Sequence, residues 1–196
     1  LLETDLDEVD SFLRASRHLA RQPGGRRQSG ILLWMLAESL KEKERPRELI
    51  SVYAELATIA PDDGTVRGGL LSAARLGYPG RSDLDALLEK GGVLGGAPPE
   101  LARQAERLAT YLQLEPGTYV YHKSGWGVGR IVDYLSERAR CVIDFRNKPG
   151  HEMDIDAAAN HLERLAETDI RALALSDPKR LRKWANENPL EMIRQV

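Results

Sequence analysis

The chain has 196 residues, 42% hydrophobic and 30% charged, enough for one large or two small globular domains with a real core; this excludes a disordered chain and a disulfide mini-protein. Its 28 basic and 30 acidic residues give a formal charge of -2, so no global basic field points to nucleic acid and any such contact has to be local. Up to Leu114 there are 15 basic and 17 acidic residues and beyond it 13 of each, so neither half is a charged tail.

From Leu1 to Leu114 apolar residues recur at helical spacing, beginning with the stripe Leu6, Val9, Leu13, Ser16 and Ala20. Gln22-Pro23-Gly24-Gly25 ends this first helix. A second is expected from about Ser29, as N-cap, through Leu32, Met35, Leu36 and Leu40 to the charge cluster Lys41 to Arg45. Pro46 opens a third with the stripe Leu49, Val52, Tyr53, Leu56 and Ala60. Either Asp62 or Asp63 can cap a fourth, Thr65 to Leu76. After the turn Gly77-Tyr78-Pro79-Gly80, Ser82 is expected to cap a short fifth helix carrying Leu84, Leu87 and Leu88. Pro98-Pro99 starts a sixth with Leu101, Ala105, Leu108 and Leu112. Shifted by 35 positions, Leu36 meets Leu71, Leu49 meets Leu84, Val52 meets Leu87 and Tyr53 meets Leu88. That period is close to the one at which tetratricopeptide-type arrays stack helix hairpins, although their sequence signature is absent.

At Glu115-Pro116-Gly117 the pattern changes to β-branched and aromatic runs: Thr118 to Lys123, Val128 to Tyr134, and Arg140 to Arg146. Alternation in the third puts Cys141, Ile143 and Phe145 on one face and Arg140, Val142, Asp144 and Arg146 on the other. Asn147-Lys148-Pro149-Gly150 turns the chain into a strand from His151 to Ile155. So short a sheet has to curl into a barrel to bury a core. Asp156 to Asn160 reads as one helical turn, and Asp177-Pro178 opens a helix with Leu181 and Trp184 that Asn188-Pro189 interrupts. The fold class is therefore α+β: a tetratricopeptide-like helical-hairpin domain over residues 1–114, a small Tudor/SH3-like β-barrel over 117–166, and a C-terminal helical segment over 167–196. Beginning on Leu1-Leu2 and ending on Ile193-Arg194-Gln195-Val196, the chain reads as a fragment leading into a further region.

No catalytic constellation is present, and an enzyme is not expected. In Gly125-Trp126-Gly127-Val128-Gly129-Arg130 the third glycine of a dinucleotide loop falls at Arg130, and a strand follows where a helix N-terminus should hold the phosphate. There is no phosphate-binding lysine loop and no nucleophile elbow at Ser124. His18, His122, His151 and His161 show no metal-binding helix spacing. A zinc site would need His122 and His151 with a carboxylate; hydrogen bonding on the barrel is the ordinary alternative, and no metal or cofactor is expected. The pair Asp154 and Asp156 is explained by capping and solvation. The lone Cys141 forms no internal disulfide, which suits a reducing cytoplasm. The longest apolar run, Ile31 to Ala37, is too short to cross a bilayer, and no signal peptide opens the chain.

Gly117 to Ile131 contains four glycines, three of them alternating around Trp126. Such glycines let a strand bend sharply or another group come close, with Trp126 either a core plug or a partner-facing anchor. From Tyr121 to Gly150 six basic residues (Lys123, Arg130, Arg138, Arg140, Arg146, Lys148) outnumber three acidic ones (Asp133, Glu137, Asp144). This surplus fits an acidic protein surface or a phosphate backbone, or simply a solvated face.

The run Gly117-Thr118-Tyr119-Val120-Tyr121-His122-Lys123-Ser124-Gly125-Trp126-Gly127-Val128-Gly129-Arg130-Ile131 resembles the start of the Tudor-like polymerase-interacting module of the CarD family and of transcription-repair coupling factor. With Val142-Ile143-Asp144-Phe145, then Lys148-Pro149-Gly150-His151-x-Met153 and Ala157-x-x-x-x-Leu162-x-x-Leu165, it is similar to the region upstream of the Gre domain in long, fused GreA-type bacterial elongation factors, where a helical region also precedes this module. The resemblance covers residues 117–165 and extends to 1–114 only in helical character. It implies a non-catalytic cytoplasmic module of a transcription elongation factor that docks on RNA polymerase, with the β subunit as the suspected contact. Strand-edge pairing is one way to make that contact. In Gre factors transcript cleavage belongs to acidic residues at the tip of a long coiled-coil hairpin, which this chain lacks. The residues expected at the partner surface are Tyr121, Lys123, Trp126, Arg130, Arg146 and Lys148, combining an aromatic anchor with steering cations. Two other readings stand beside this one: a nucleic-acid-binding barrel, and a helical scaffold with Arg26, Arg27 and Lys41 to Arg45 as rim.

Overall fold

A computed structural model describes residues 2–95 and 100–188, with side chains from residue 8 onward. The expectations for Leu6, Pro98-Pro99, the interruption at Pro189 and the C-terminal residues Ile193 to Val196 lie outside the described residues. The architecture is α+β, with nine α-helices and a five-stranded antiparallel sheet among the described residues. The chain divides into two compact units, Leu1–Thr110 and Tyr111–Val196. Among the described residues no helix is long and apolar enough to cross a membrane.

The first unit contains α1 (Leu2–Ala20), α2 (Gly25–Glu42), α3 (Pro46–Ile59), α4 (Gly64–Gly77), α5 (Leu84–Lys90) and most of α6 (Leu101–Gln113). The first four pack in chain order. Pro46 at the start of α3 loses nothing by lacking an amide hydrogen, and Asp63 accepts from the Thr65 N–H to cap α4. Leu49, Val52, Tyr53 and Leu56 of α3 are buried as their spacing requires. The Tyr53 ring lies directly on Gly69 of α4, where a Cβ would collide with it, so that glycine sets the close approach of the two helices.

Two expectations for α2 are corrected. The helix starts a full turn before Ser29, at Gly25, behind Gly24 with φ 73°, which takes the left-handed conformation glycine tolerates. Ser29 is not an N-cap but a buried mid-helix residue whose Oγ lies 2.5 Å from Ser16 Oγ and donates to the Ser16 carbonyl. The buried face is accordingly Ser29, Gly30, Leu33, Ala37 and Leu40, while Leu32 and Met35 point outward. At α5 the N-cap position is Asp83, not Ser82; its carboxylate is buried against Arg81 at 3.0 Å.

The second unit holds β1 (Tyr119–His122), β2 (Gly127–Leu135), β3 (Arg140–Phe145), β4 (Lys148–Asp154), α7 (Ile155–His161), β5 (Leu162–Leu165), α8 (Ile170–Ser176) and α9 (Pro178–Glu187). The sheet order is β4-β3-β2-β1-β5, so β1 pairs with both β2 and β5, and β4 and β5 form the two edges. Val120, Ile131, Cys141, Ile143, Phe145 and Met153 fill its inner face. The β3 alternation follows the sequence pattern. β4 begins at Lys148, earlier than expected, because Gly150 (φ 64°) supplies the irregularity by which the strand pairs with β3 while its N–H bonds Asp144 Oδ1 at 2.7 Å. β5 does not follow from the sequence pattern, whereas α8 lies within the segment expected to be helical. The acidic pair does what capping requires: Asp154 accepts from the Asp156 N–H at 2.9 Å to start α7, and Asp156 accepts from the hydroxyl of the fully buried Tyr111.

A candidate binding site around Trp126

Trp126 is the last residue of the β1–β2 turn and lies between two glycines in left-handed backbone, Gly125 at φ 107° and Gly127 at φ 74°. No side chain adopts either conformation cheaply, so this spacing is what the tight reversal requires. The third alternating glycine has a different role. Gly129 lies under the Phe145 ring, and a Cβ there would come within 2.7 Å of Phe145 Cδ1. Two glycines shape the turn and the third admits the ring beside it.

The indole is held on several sides. His122, inward-facing at the end of β1, stacks on it at 4.5 Å between ring centroids and 24° between planes. His151 of β4 meets it edge-on at 4.3 Å, and Phe145 does so at 5.5 Å. Lys148 Nζ lies 4.4 Å from the ring centroid, a cation–π contact. Trp126 nevertheless remains 39% exposed. The Ser124 N–H donates to His122 Nδ1 at 3.2 Å, so that nitrogen carries no proton and Nε2 is the protonated one in the neutral ring. Burial lowers the His122 pKa from its ordinary 6.5, with the nearby His161 adding to the effect; burial, then Lys148, then His122 do the same for His151. The result is a neutral aromatic floor beneath a tryptophan with a cation on it. Among the described residues no group of three or more His, Cys, Asp or Glu is placed to hold a metal ion.

Of the six residues expected at a partner surface, the structure places Trp126 and Lys148 in direct contact. Tyr121 and Arg130 lie on the other face of the sheet. There the Arg171 guanidinium covers the Tyr121 ring at 5.3 Å while bonding Asp169 and Glu163, and Arg130 lies 5.7 Å from the Tyr119 ring. Lys123 is exposed in the turn, its N–H bonding the His161 carbonyl, and Arg146 is exposed between β3 and β4. The residues that sequence reasoning missed as part of the site are His122, Phe145 and His151. The inward alternation of Phe145 was a usable signal; the β3–β4 register that pairs His151 with Ile143 was not.

No family model matches the chain, and no solved structure matches it. Over 117 residues, 59% of its length, the chain is 22% identical to a protein named transcription elongation factor GreA from Chlamydia pneumoniae, and the matched part is 16% of that relative's length. The chain is thus distantly similar to a GreA-type elongation factor.

Proposed function

We propose that this chain is a non-catalytic part of a bacterial transcription elongation factor, cytoplasmic in location, whose second unit docks on RNA polymerase. The distant GreA similarity supports the transcription setting. The strand order, with β1 between β2 and β5 and the short helix α7 joining β4 to β5, supports reading the sheet as a Tudor/SH3-like barrel left open between β4 and β5. The near coincidence of α2 and α3 with α4 and α5 at the 35-residue offset supports a hairpin array in the first unit.

The observation that carries the docking reading is Trp126: a large ring packed against His122, Phe145, His151 and Lys148, yet 39% open to solvent. A pre-ordered aromatic loses little entropy when a partner covers it, which is how a few residues come to dominate an interface. Lys148 and the edge strand β4 beside it supply a steering charge and unpaired backbone groups for an acidic or strand-like contact on the polymerase.

The test is retention of RNA polymerase by the full 196-residue chain, with nuclease added and at low and high salt. Trp126→Ala is expected to weaken retention by about 30-fold or more, as for an interface hot spot, with the circular-dichroism spectrum unchanged. Arg130→Ala, on the opposite face, is expected to change it little. Loss of retention with nuclease, or a steep fall with salt, would replace this reading by direct nucleic-acid binding. Equal retention by Trp126→Ala would remove this face from the contact.

A further inference from the structure

The outward face of α2 carries an apolar stripe that packing among the described residues leaves uncovered: Ile31 is 54% exposed, Leu32 38% and Met35 65%. Arg27, Ile31, Met35, Glu38 and Glu42 follow one another at intervals of four, four, three and four residues, so they share one side of the helix. The charges on this side are sorted. Arg27 stands before the apolar residues and Glu38 and Glu42 stand after them; all three are exposed, and Glu38 shares its charge with Lys41 at 2.7 Å. A stripe rimmed by one sign of charge calls for a partner of the opposite sign. A stripe basic at one end and acidic at the other is complementary to its own reverse.

We propose that this face pairs with the same face of a second copy, two α2 helices lying antiparallel about a two-fold axis between Ile31 and Met35. The arithmetic of the helix fits. At a rise of about 1.5 Å per residue, Arg27 lies roughly 9 Å from the midpoint of the stripe on one side and Glu38 roughly 7.5 Å on the other. Reversing the second helix therefore sets Arg27 of each copy beside Glu38 of the other and places each Ile31 against the opposite Met35. A parallel pair would set like charges together. Antiparallel packing also opposes the helix dipoles favourably, and a two-fold contact closes on itself, giving a dimer and not a fibre. The apolar patch is three residues of one helix, so the proposed association is reversible and weak. This pairing involves the first unit only and is independent of the polymerase reading.

The experiment is sedimentation velocity on the full chain up to several hundred micromolar. Wild type is expected to show a concentration-dependent monomer–dimer equilibrium. Met35→Glu, at an exposed position that leaves the fold intact by circular dichroism, should raise the dimer Kd by about tenfold or more, since it sets two carboxylates in the apolar centre. Arg27→Glu and Glu38→Arg should each weaken the dimer by about fivefold, two exposed pairs being lost at once. An equimolar mixture of those two variants should recover it, because each then faces its opposite charge. A monomer at every concentration, a dimer indifferent to Met35→Glu, or a mixture no stronger than its components would overturn the proposal.

Discussion

Substituting Gly129 by alanine tests whether the close approach of Phe145 is what this glycine is for. Gly129 is buried within β2, paired with Val120 on one side and Phe145 on the other, and an added Cβ would stand 2.7 Å from Phe145 Cδ1 and 2.9 Å from both Phe145 Cε1 and Ile143 Cγ2. The neighbours are the middle of a buried ring and a branched methyl, neither free to swing away. Overpacking of this kind costs about 1–3 kcal/mol, offset by the ~0.5–1 kcal/mol that alanine gains over glycine in a strand, for a net loss of about 1–2 kcal/mol. For a unit of this size that lowers Tm by roughly 5–15 °C. Thermal unfolding should be followed through Trp126 emission against a Trp126→Phe baseline, since displacement of Phe145 also disturbs the indole it supports at 5.5 Å. Phe145→Leu in the same chain should relieve the crowding, so the double variant should lose less than the two single losses combined. An alanine variant as stable as wild type, or strictly additive losses, would refute the reasoning.

Two further outcomes follow from the second unit. Tyr111→Phe removes the hydroxyl donated to the Asp156 carboxylate from a fully buried ring and should cost about 1–2 kcal/mol in chemical denaturation with no change of secondary structure. Because His122 and His151 both titrate below their ordinary 6.5 in the folded state, the unfolded chain takes up protons first as the solution is acidified. Their contribution to stability is therefore complete above about pH 6.5 and is lost as the pH falls below it; denaturant midpoints from pH 7.5 to pH 5 should show this decline, and it should flatten in His122→Gln.

Much of the fold was legible because it is local. The spacing of Leu49, Val52, Tyr53 and Leu56, the Asp63 cap and the alternation of Cys141, Ile143 and Phe145 each depend on a few neighbouring residues, and each appears in the structure as its pattern requires. The misplaced frame on α2 has a definite cause. Ile31-Leu32-Leu33-Trp34-Met35-Leu36-Ala37 is apolar all round, so periodicity cannot choose its buried side; the choice falls to small residues, Ser29, Gly30 and Ala37, that let neighbouring helices come close. The helix then keeps larger apolar residues outside, and these form the exposed stripe of Ile31, Leu32 and Met35. The four residues of β5 were invisible for the opposite reason: Leu162-Glu163-Arg164-Leu165 has little strand character and is a strand because β1 presents an unpaired edge to it.

The candidate site divides along the same line. Glycine spacing around Trp126 was readable because backbone geometry is written in the residues themselves, whereas the partners of the indole come from strands whose register is set by tertiary pairing. His151 reaches Trp126 through its pairing with Ile143, and Phe145 through its pairing with Gly129. The surplus of basic residues between Tyr121 and Gly150 is a property of the segment and not of a surface, because strand alternation sends Arg130 to one face while the β3–β4 turn sends Lys148 to the other. A charge count along a β segment therefore overstates any patch, and the comparison of Trp126→Ala with Arg130→Ala separates two faces that the sequence alone had merged into one.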